Sequence, residues 1–287
     1  PYRLEKLAGR YVLADGRVTM TDVRVRHGRV TAAAAGVWQP MADGGWNLAL
    51  DRLNVDHLTP SRELVAAMPG RMREAVERLR PHGTFSLYDS RVELTRPADA
   101  TTPTTSAWNI NLLCHQADVT CGVPLTGVSG SVQLVGKSDG TRGYTAGELT
   151  LDSLVWRDVH FTQLRGPLWI DQTPTGSVCL LGREASRRQP QPPRDLMANV
   201  YGGTVVSNIH VWHEGHPQFQ LAASLAGADL AQVARQRLGA PSGVTGTVGG
   251  RVSLSGTGTS TDAITGNGEL HIVDANIYKL PRLVALL

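Results

Sequence analysis

Ala198-Asn-Val-Tyr-Gly-Gly-Thr-Val206 opens the stretch whose reading decides the fold. It reads as a strand, with a hairpin partner at Phe219-Gln-Leu-Ala-Ala-Ser-Leu225. A short helix follows over Asp229–Leu238, then glycine-spaced strands Val248–Ser255 and Gly268–Ala275, then a second helix from Leu280. Within Thr204–Val211, Val205, Ile209 and Val211 fall on one face of an extended chain, and Asn208 and His210 on the other. The alternation recurs in Phe219, Leu221, Ala223 and Leu225, in Val248, Val252 and Leu254, and in Leu270 with Ile272. Every strand therefore has an apolar face, and the segment carries no catalytic constellation.

Working outward, the same arrangement returns. Leu53–Leu58, a helical patch to Leu79, then Pro81-His-Gly83 and Phe85-Ser-Leu87 parallel Leu225–Leu230, a helix to Leu238, then Gly246-Thr-Val248 and Val252-Ser-Leu254. Both passages run strand end, acidic cap, amphipathic helix, Pro/Gly loop, new strand. Asp229 with Gln232 forms a capping-box pattern, and Gly239 stands where a C-terminal glycine cap belongs. A third instance begins at Val273. In Ser61–Leu79 the apolar Leu64, Met68, Met72, Val76 and Leu79 share one helical stripe, and Pro69-Gly70 predicts two short helices rather than one. Ala14-Asp-Gly16 and Arg26-His-Gly28 bound alternating strands Val18–Val25 and Val30–Val37. Gly130-Ser-Val, Gly147-Glu-Leu, Gly166-Pro-Leu and Gly268-Glu-Leu read as glycine turns, each opening a strand. Thr101–Ser106 and Arg183–Arg194 read as loops. The organisation expected is an N-terminal β unit (1–100), a central β-sheet unit (101–182), a linker (183–194) and a C-terminal unit (195–287).

Composition agrees with a turn-rich β protein: 287 residues hold 31 Gly and 16 Pro but only 5% aromatics. A net charge of +3, without a basic cluster beside an aromatic stripe, gives no case for nucleic acid. No run approaches the ~18 apolar residues of a membrane helix. A start at Pro1 and an end within the pattern suggest a piece of a longer chain. Fifteen or so strands at ~4.8 Å spacing give a sheet about 70 Å long, which must cover or curl its apolar face. The helices are too short to cover it, so the expected fold is mainly β: a long antiparallel repeat sheet curled into an open trough, with short amphipathic helices as lids or plugs.

Chemistry-bearing residues are sparse. His210, His213 and His216 with Glu214 invite a metal reading, although 210 and 213 point to opposite faces of a strand. Asp152, Asp158 and Asp171 are candidate paired carboxylates whose plainer reading is turn or cap residues. No nucleophile elbow or phosphate loop is present. Cys114 and Cys121 could face each other across a hairpin turning near Gln116–Val119, or stand as two half-buried thiols, with Cys179 apart. The six tryptophans, Trp38, Trp46, Trp108, Trp156, Trp169 and Trp212, occur singly, which leaves a place for Trp at a membrane-facing rim.

The run Ala198–Val206, followed by Ala228-Asp-Leu-Ala-Gln-Val233, Gly243–Gly256, Ile264–Ile272 and Asp274–Pro281, resembles the C-terminal region of AsmA-like proteins, relatives of TamB and the bridge-like lipid-transfer proteins. The resemblance covers Asp195–Leu287, weakens over Leu125–Asp171, and upstream rests on the repeat. It implies a non-catalytic periplasmic protein, anchored to the inner membrane in its full-length parent, that conducts phospholipid toward the outer membrane without a cofactor. Its partners would be phospholipid, membranes and other envelope proteins. On that reading the trough lining includes Val205, Ile209, Val211, Phe219, Leu221, Leu225, Val252, Leu254, Leu270 and Ile272. The alternatives are a structural or adhesive repeat-β protein with a closed core, and an outer-membrane protein assembly factor that offers strand edges.

Overall fold

The structure, a computed structural model, describes residues 5–68, 70–121, 123–214, 216–238, 244–257 and 263–276. The strands are β1 (Lys6–Ala14), β2 (Arg17–His27), β3 (Val30–Pro40), β4 (Trp46–Leu58), β5 (His82–Arg96), β6 (Thr105–Thr120), β7 (Pro124–Ser138) and β8 (Gly143–Trp156). They continue as β9 (Val159–Gln172), β10 (Ser177–Leu181), β11 (Leu196–Val200), β12 (Gly203–Glu214), β13 (His216–Asp229), β14 (Thr247–Thr257) and β15 (Ile264–Val273). All fifteen belong to one antiparallel sheet in chain order. β10 and β11 share a single place between β9 and β12, because the chain leaves the sheet at Gly182 and rejoins it at Leu196. The sheet runs unbroken past positions 100, 182 and 195. At ~4.8 Å per strand it is about 60 Å long.

Helices occupy two kinds of position. α1 (Arg62–Ala67) and α2 (Gly70–Leu79) join β4 to β5, and α4 (Leu230–Val233), extended by a π-turn over Ala234–Leu238, leads from β13 toward β14. Both crossovers lie at the same end of the strands, termed the closed end below. Two short helices, one ending at Ala67 and the next beginning at Gly70, stand where the sequence predicts them, and the Ser61 Oγ caps α1 by accepting from the Leu64 N–H. Asp229 caps α4, its carboxylate accepting from the Ala231 N–H at 2.8 Å. The repeat of strand, helix and strand is thus present twice. The helix expected from Leu280 and the cap at Gly239 lie outside the described residues. α3 (Arg183–Arg187) is a helical turn within the stretch read as a loop. Among the described residues no helix is long and apolar enough to cross a membrane.

Three sequence expectations are corrected. Tyr201-Gly202 is not strand interior but the two-residue turn of the β11–β12 hairpin, with φ of 50° and 76°, the conformation a tight hairpin demands. Gly130, Gly147, Gly166 and Gly268 are not turns but sit inside strands. The reason is close packing: a Cβ on Gly147 would lie 3.0 Å from Leu134 Cδ2 and 3.3 Å from Leu168 Cδ2. Finally, no hairpin turns near 116–119. β6 continues to Thr120, which puts Cys114 and Cys121 on one strand and its exit, too far apart for a bridge, and all three cysteines are free.

What curls the sheet is a pair of bulge rows. One crosses β2, β4 and β5 at Asp22, Arg52 and Asp89, each with positive φ (49°, 52°, 43°), and the β3–β4 register slips between them at Ala33/Ala35. The other passes His57, Gln116, Gly127 and Gln163 (55°, 51°, 61°, 51°). Each bulge bends and overtwists its strand, and aligned bulges turn local bends into a fold line. Adjacent strands satisfy the displaced backbone. Asn54 Oδ1 accepts from the Asp89 N–H, the Asn111 amide donates to the carbonyls of Tyr88 and Asp89, and the fully buried Ser90 hydroxyl accepts from the Asn111 N–H. Asp118 likewise accepts from Gly127 N–H, and Ser129 from Gln116 N–H.

Candidate functional site: an apolar groove

Residues paired across an antiparallel ladder point to the same side, so the register assigns every strand residue to one of two faces. One row can be followed through the whole sheet. It begins Tyr11, Met20, Gly36, Leu50, Val92 and Trp108, each paired with the next. It continues Gly136, Thr145, Ile170, Cys179 and Val211, and ends Phe219, Gly256 and Ile264. The rows on its closed-end side carry Leu134, Leu168, Leu181, Ile209, Leu221 and Leu254, then Val55, Leu87, Leu112, Val132, Leu149 and Val252. Apart from bulge residues, every Asp, Glu, Lys and Arg in the paired registers projects from the opposite face, with Arg96 at the end of β5 the one exception.

The ten residues read from sequence as a lining, Val205, Ile209, Val211, Phe219, Leu221, Leu225, Val252, Leu254, Leu270 and Ile272, all lie on this apolar face. Sequence reading missed the larger part of it, on β1 to β9. The missed signal is a slip of phase. In β4 the apolar residues run Leu48, Leu50, Leu53, Val55, Leu58, alternating by two and stepping by three at each bulge. Strict alternation looks broken there, although the face is conserved through the bulge.

Burial divides the face. At the closed end Phe85, Cys114, Val128, Leu151 and Leu154 are less than a tenth exposed and pack with Leu58, Leu164 and Phe161, a cluster drawn from six neighbouring strands. A single-layer sheet buries such residues only by closing on itself. A second cluster, Ala228, Leu230, Val244 and Val248, seats α4 against Tyr201 and Ile272. Toward the other end of the strands, the open end, Trp108, Ile170, Val211 and Phe219 are only half-buried. The molecule is therefore a trough with a packed seam along one side and an accessible apolar wall along the other.

Two details keep the wall smooth. Trp108 lies flat over Gly136, where a Cβ would stand 2.7 Å from the ring, and Phe219 over Gly256, at 2.5 Å. Burial pushes the Cys114 thiol up to about 11 and Cys179 to about 12, so both stay neutral on the apolar face.

The other face is polar and carries the 182–195 excursion. Arg183 pairs with Asp195 (2.8 Å), Arg188 with Asp171 (3.1 Å) and Arg194 with Glu148 (2.8 Å), while the Gln189 amide donates to the Leu168 carbonyl. The histidines considered for a metal are separated: His210 is on the polar face against Trp212, His213 on the apolar face, and His216 opposite Glu214. Among the described residues no group of three or more His, Cys, Asp or Glu could hold a metal. Asp152 lies where the β7–β8 register slips, Asp158 in the β8–β9 turn, and Asp171 pairs with Arg188, so the three carboxylates are not brought together. A hollow of about 490 Å³ lined by Ala14, Asp15, Arg17, Thr19, Gln39 and Pro40 opens at the β1–β2 turn and is separate from the apolar wall.

The chain matches no protein-family model, no curated protein and no solved structure.

Proposed function

We propose that the trough is a non-catalytic carrier of phospholipid acyl chains in a bacterial cell envelope, as the AsmA-like resemblance implies. The observation that carries this reading is the row from Tyr11 to Ile264, apolar at every position but Thr145, accessible along the open end and free of formal charge. Acyl chains need a continuous hydrocarbon surface, and each CH₂ moved from water to it gains about 0.8 kcal/mol. The four rows from Val211 to Val205 span about 20 Å of strand, close to the length of one extended acyl chain. Headgroups would remain in water at the open rim. A closed repeat-β core would bury these rows along their whole length, whereas Trp108, Ile170, Val211 and Phe219 are only half-buried. On this reading the protein works in the periplasm between the two membranes.

The face assignment supplies the test. A photoreactive benzophenone side chain introduced at position 209 or 221 should cross-link to phospholipid in cells, whereas one at position 210 or 220, one residue along the same strands, should not. Equal labelling at all four positions, or none at any, refutes the carrier reading.

A further inference from the structure

We infer that copies of this chain join head to tail, the edge of β15 on one copy pairing with the edge of β1 on the next. Among the described residues β1 and β15 are the two edges of the sheet, each with a neighbour on one side only. Both are exposed almost throughout, and the most exposed large apolar side chains, Leu13 (73%), Leu270 (67%) and Leu7 (57%), all lie on them. A row of unpaired N–H and C=O groups is a template for another strand, which proteins blunt with proline, inward charges or bulges. Neither edge has such a device. The apolar face of β1 carries Leu7, Gly9, Tyr11 and Leu13, and that of β15 carries Ile264, Gly266, Gly268, Leu270 and Ile272. The β14–β15 ladder is free of bulges, and the slip in the β1–β2 ladder adds its extra residue to β2.

Direction, register and charge fit a second copy. Fifteen strands, with β10 and β11 sharing one place, make fourteen positions, so β1 and β15 of this antiparallel sheet run in opposite directions. A copy in the same orientation therefore adds its β1 to β15 antiparallel, open end beside open end. Continuing the row of the wall sets Tyr11 beside Ile264, and with it Gly9 beside Gly266 and Leu7 beside Gly268 on the apolar face. On the polar face it sets Lys6 against Glu269. A shift of two residues either way also preserves the faces, but it puts Lys6 against Asn267 or His271, so charge selects the first register. Within one copy Lys6 stands opposite Arg26, a like charge, and a carboxylate on its other side offsets that repulsion. Two β1 edges would meet only with the open end of one copy beside the closed end of the other. Centred on Ala8, such a pair sets Lys6 against Arg10. The favoured contact is therefore heterologous and does not stop at two copies. It extends the apolar wall from copy to copy, and it rests on the two edges rather than on what the wall carries.

Sedimentation velocity over a concentration series, under reducing conditions, tests it. The wild-type chain should grow past two copies as concentration rises. Lys6→Glu, which sets two carboxylates opposite each other, should weaken that association by about tenfold. The charge swap Lys6→Glu/Glu269→Lys should restore it, which a variant that merely disturbed the fold would not do. A second arm introduces cysteines in a Cys121→Ser background. Oxidation of Lys6→Cys/Glu269→Cys should give a ladder of covalent dimers, trimers and larger species, while Lys6→Cys or Glu269→Cys alone should give none. A wild type that stays monomeric at every concentration, or assembly that stops at two copies, would overturn the proposal. So would a charge swap that fails to restore association, cross-linking in either single-cysteine variant, or a cross-link closed within one chain.

Discussion

Trp108 and Gly136 show at single-residue resolution how the wall is made. A concave surface has little room, and glycine on one strand lets the ring of its neighbour lie down instead of standing into the groove. Gly136→Val would drive a Cβ against the Tyr144 carbonyl and into the Trp108 ring. The expected cost is about 1–3 kcal/mol, typical of overpacking, together with a shift in tryptophan emission as the ring is lifted. A melting curve and an emission spectrum check both. The cysteines make a second residue-scale prediction. With their thiols pushed up to about 11 and about 12, Cys114 and Cys179 hold almost no thiolate near neutrality. Desolvation pushes the Cys121 thiol up as well, but the residue is open to solvent, so a maleimide should label it ahead of Cys114, which should react only on unfolding. Rapid labelling of Cys114 in the folded protein would show that the seam is not closed.

At the scale of elements, the excursion between β10 and β11 is held to the polar face by the buried Ala185 and Ser186, by the Gln189 amide and by three ion pairs. Hydrogen bonds first from the Arg183 guanidinium and then from the Asn208 amide hold the Asp195 carboxyl below the usual carboxylate range. A carboxyl depressed in the folded state contributes stability above its unfolded value near ~4 and loses it as pH falls through the lower folded value. Acidification below pH ~4 should therefore loosen residues 182–195 before the sheet, seen as a loss of protection, relative to the intrinsic exchange rate, at the Arg183 amide, which donates to Asn208 Oδ1 at 2.6 Å. Asp195→Asn should abolish that pH step. An Arg183 amide equally protected across the range would contradict the assignment. These elements also show where sequence reading stops. Alternation over Thr204–Val211 and Phe219–Leu225 was plain because β12 and most of β13 are free of bulges. In β4, β6 and β9 the αL residues Arg52, His57, Gln116 and Gln163 shift the phase, and no residue type announces them as glycine would. Tyr201-Gly202 misleads in the opposite way: Tyr is a common strand residue, and here its φ of 50° serves a turn.

For the whole molecule, the long antiparallel sheet, its helices at Ser61–Leu79 and Asp229, and the common face of the ten residues from Val205 to Ile272 were legible because periodicity and capping are local properties. The curl was deduced only from the need to hide an apolar face, and its cause, two aligned bulge rows, depends on neighbours far apart in sequence. The central claim is that the apolar wall holds lipid while the closed-end seam holds the fold. Ile209 and Leu221 are paired across β12 and β13 on the half-buried wall. An aspartate at either place should be tolerated structurally, since it reaches water, but should interrupt the hydrocarbon surface. Phe85, in the seam, is the contrast: Phe85→Ala should cost about 3–5 kcal/mol of stability. The most direct measurement is native mass spectrometry of the purified protein beside Ile209→Asp and Leu221→Asp, with lipid analysis and a melting curve on each. The account predicts phospholipid adducts on the wild type that disappear from both folded variants. Wild-type protein that stays free of lipid after incubation with vesicles, or aspartate variants that unfold instead of releasing lipid, would contradict it.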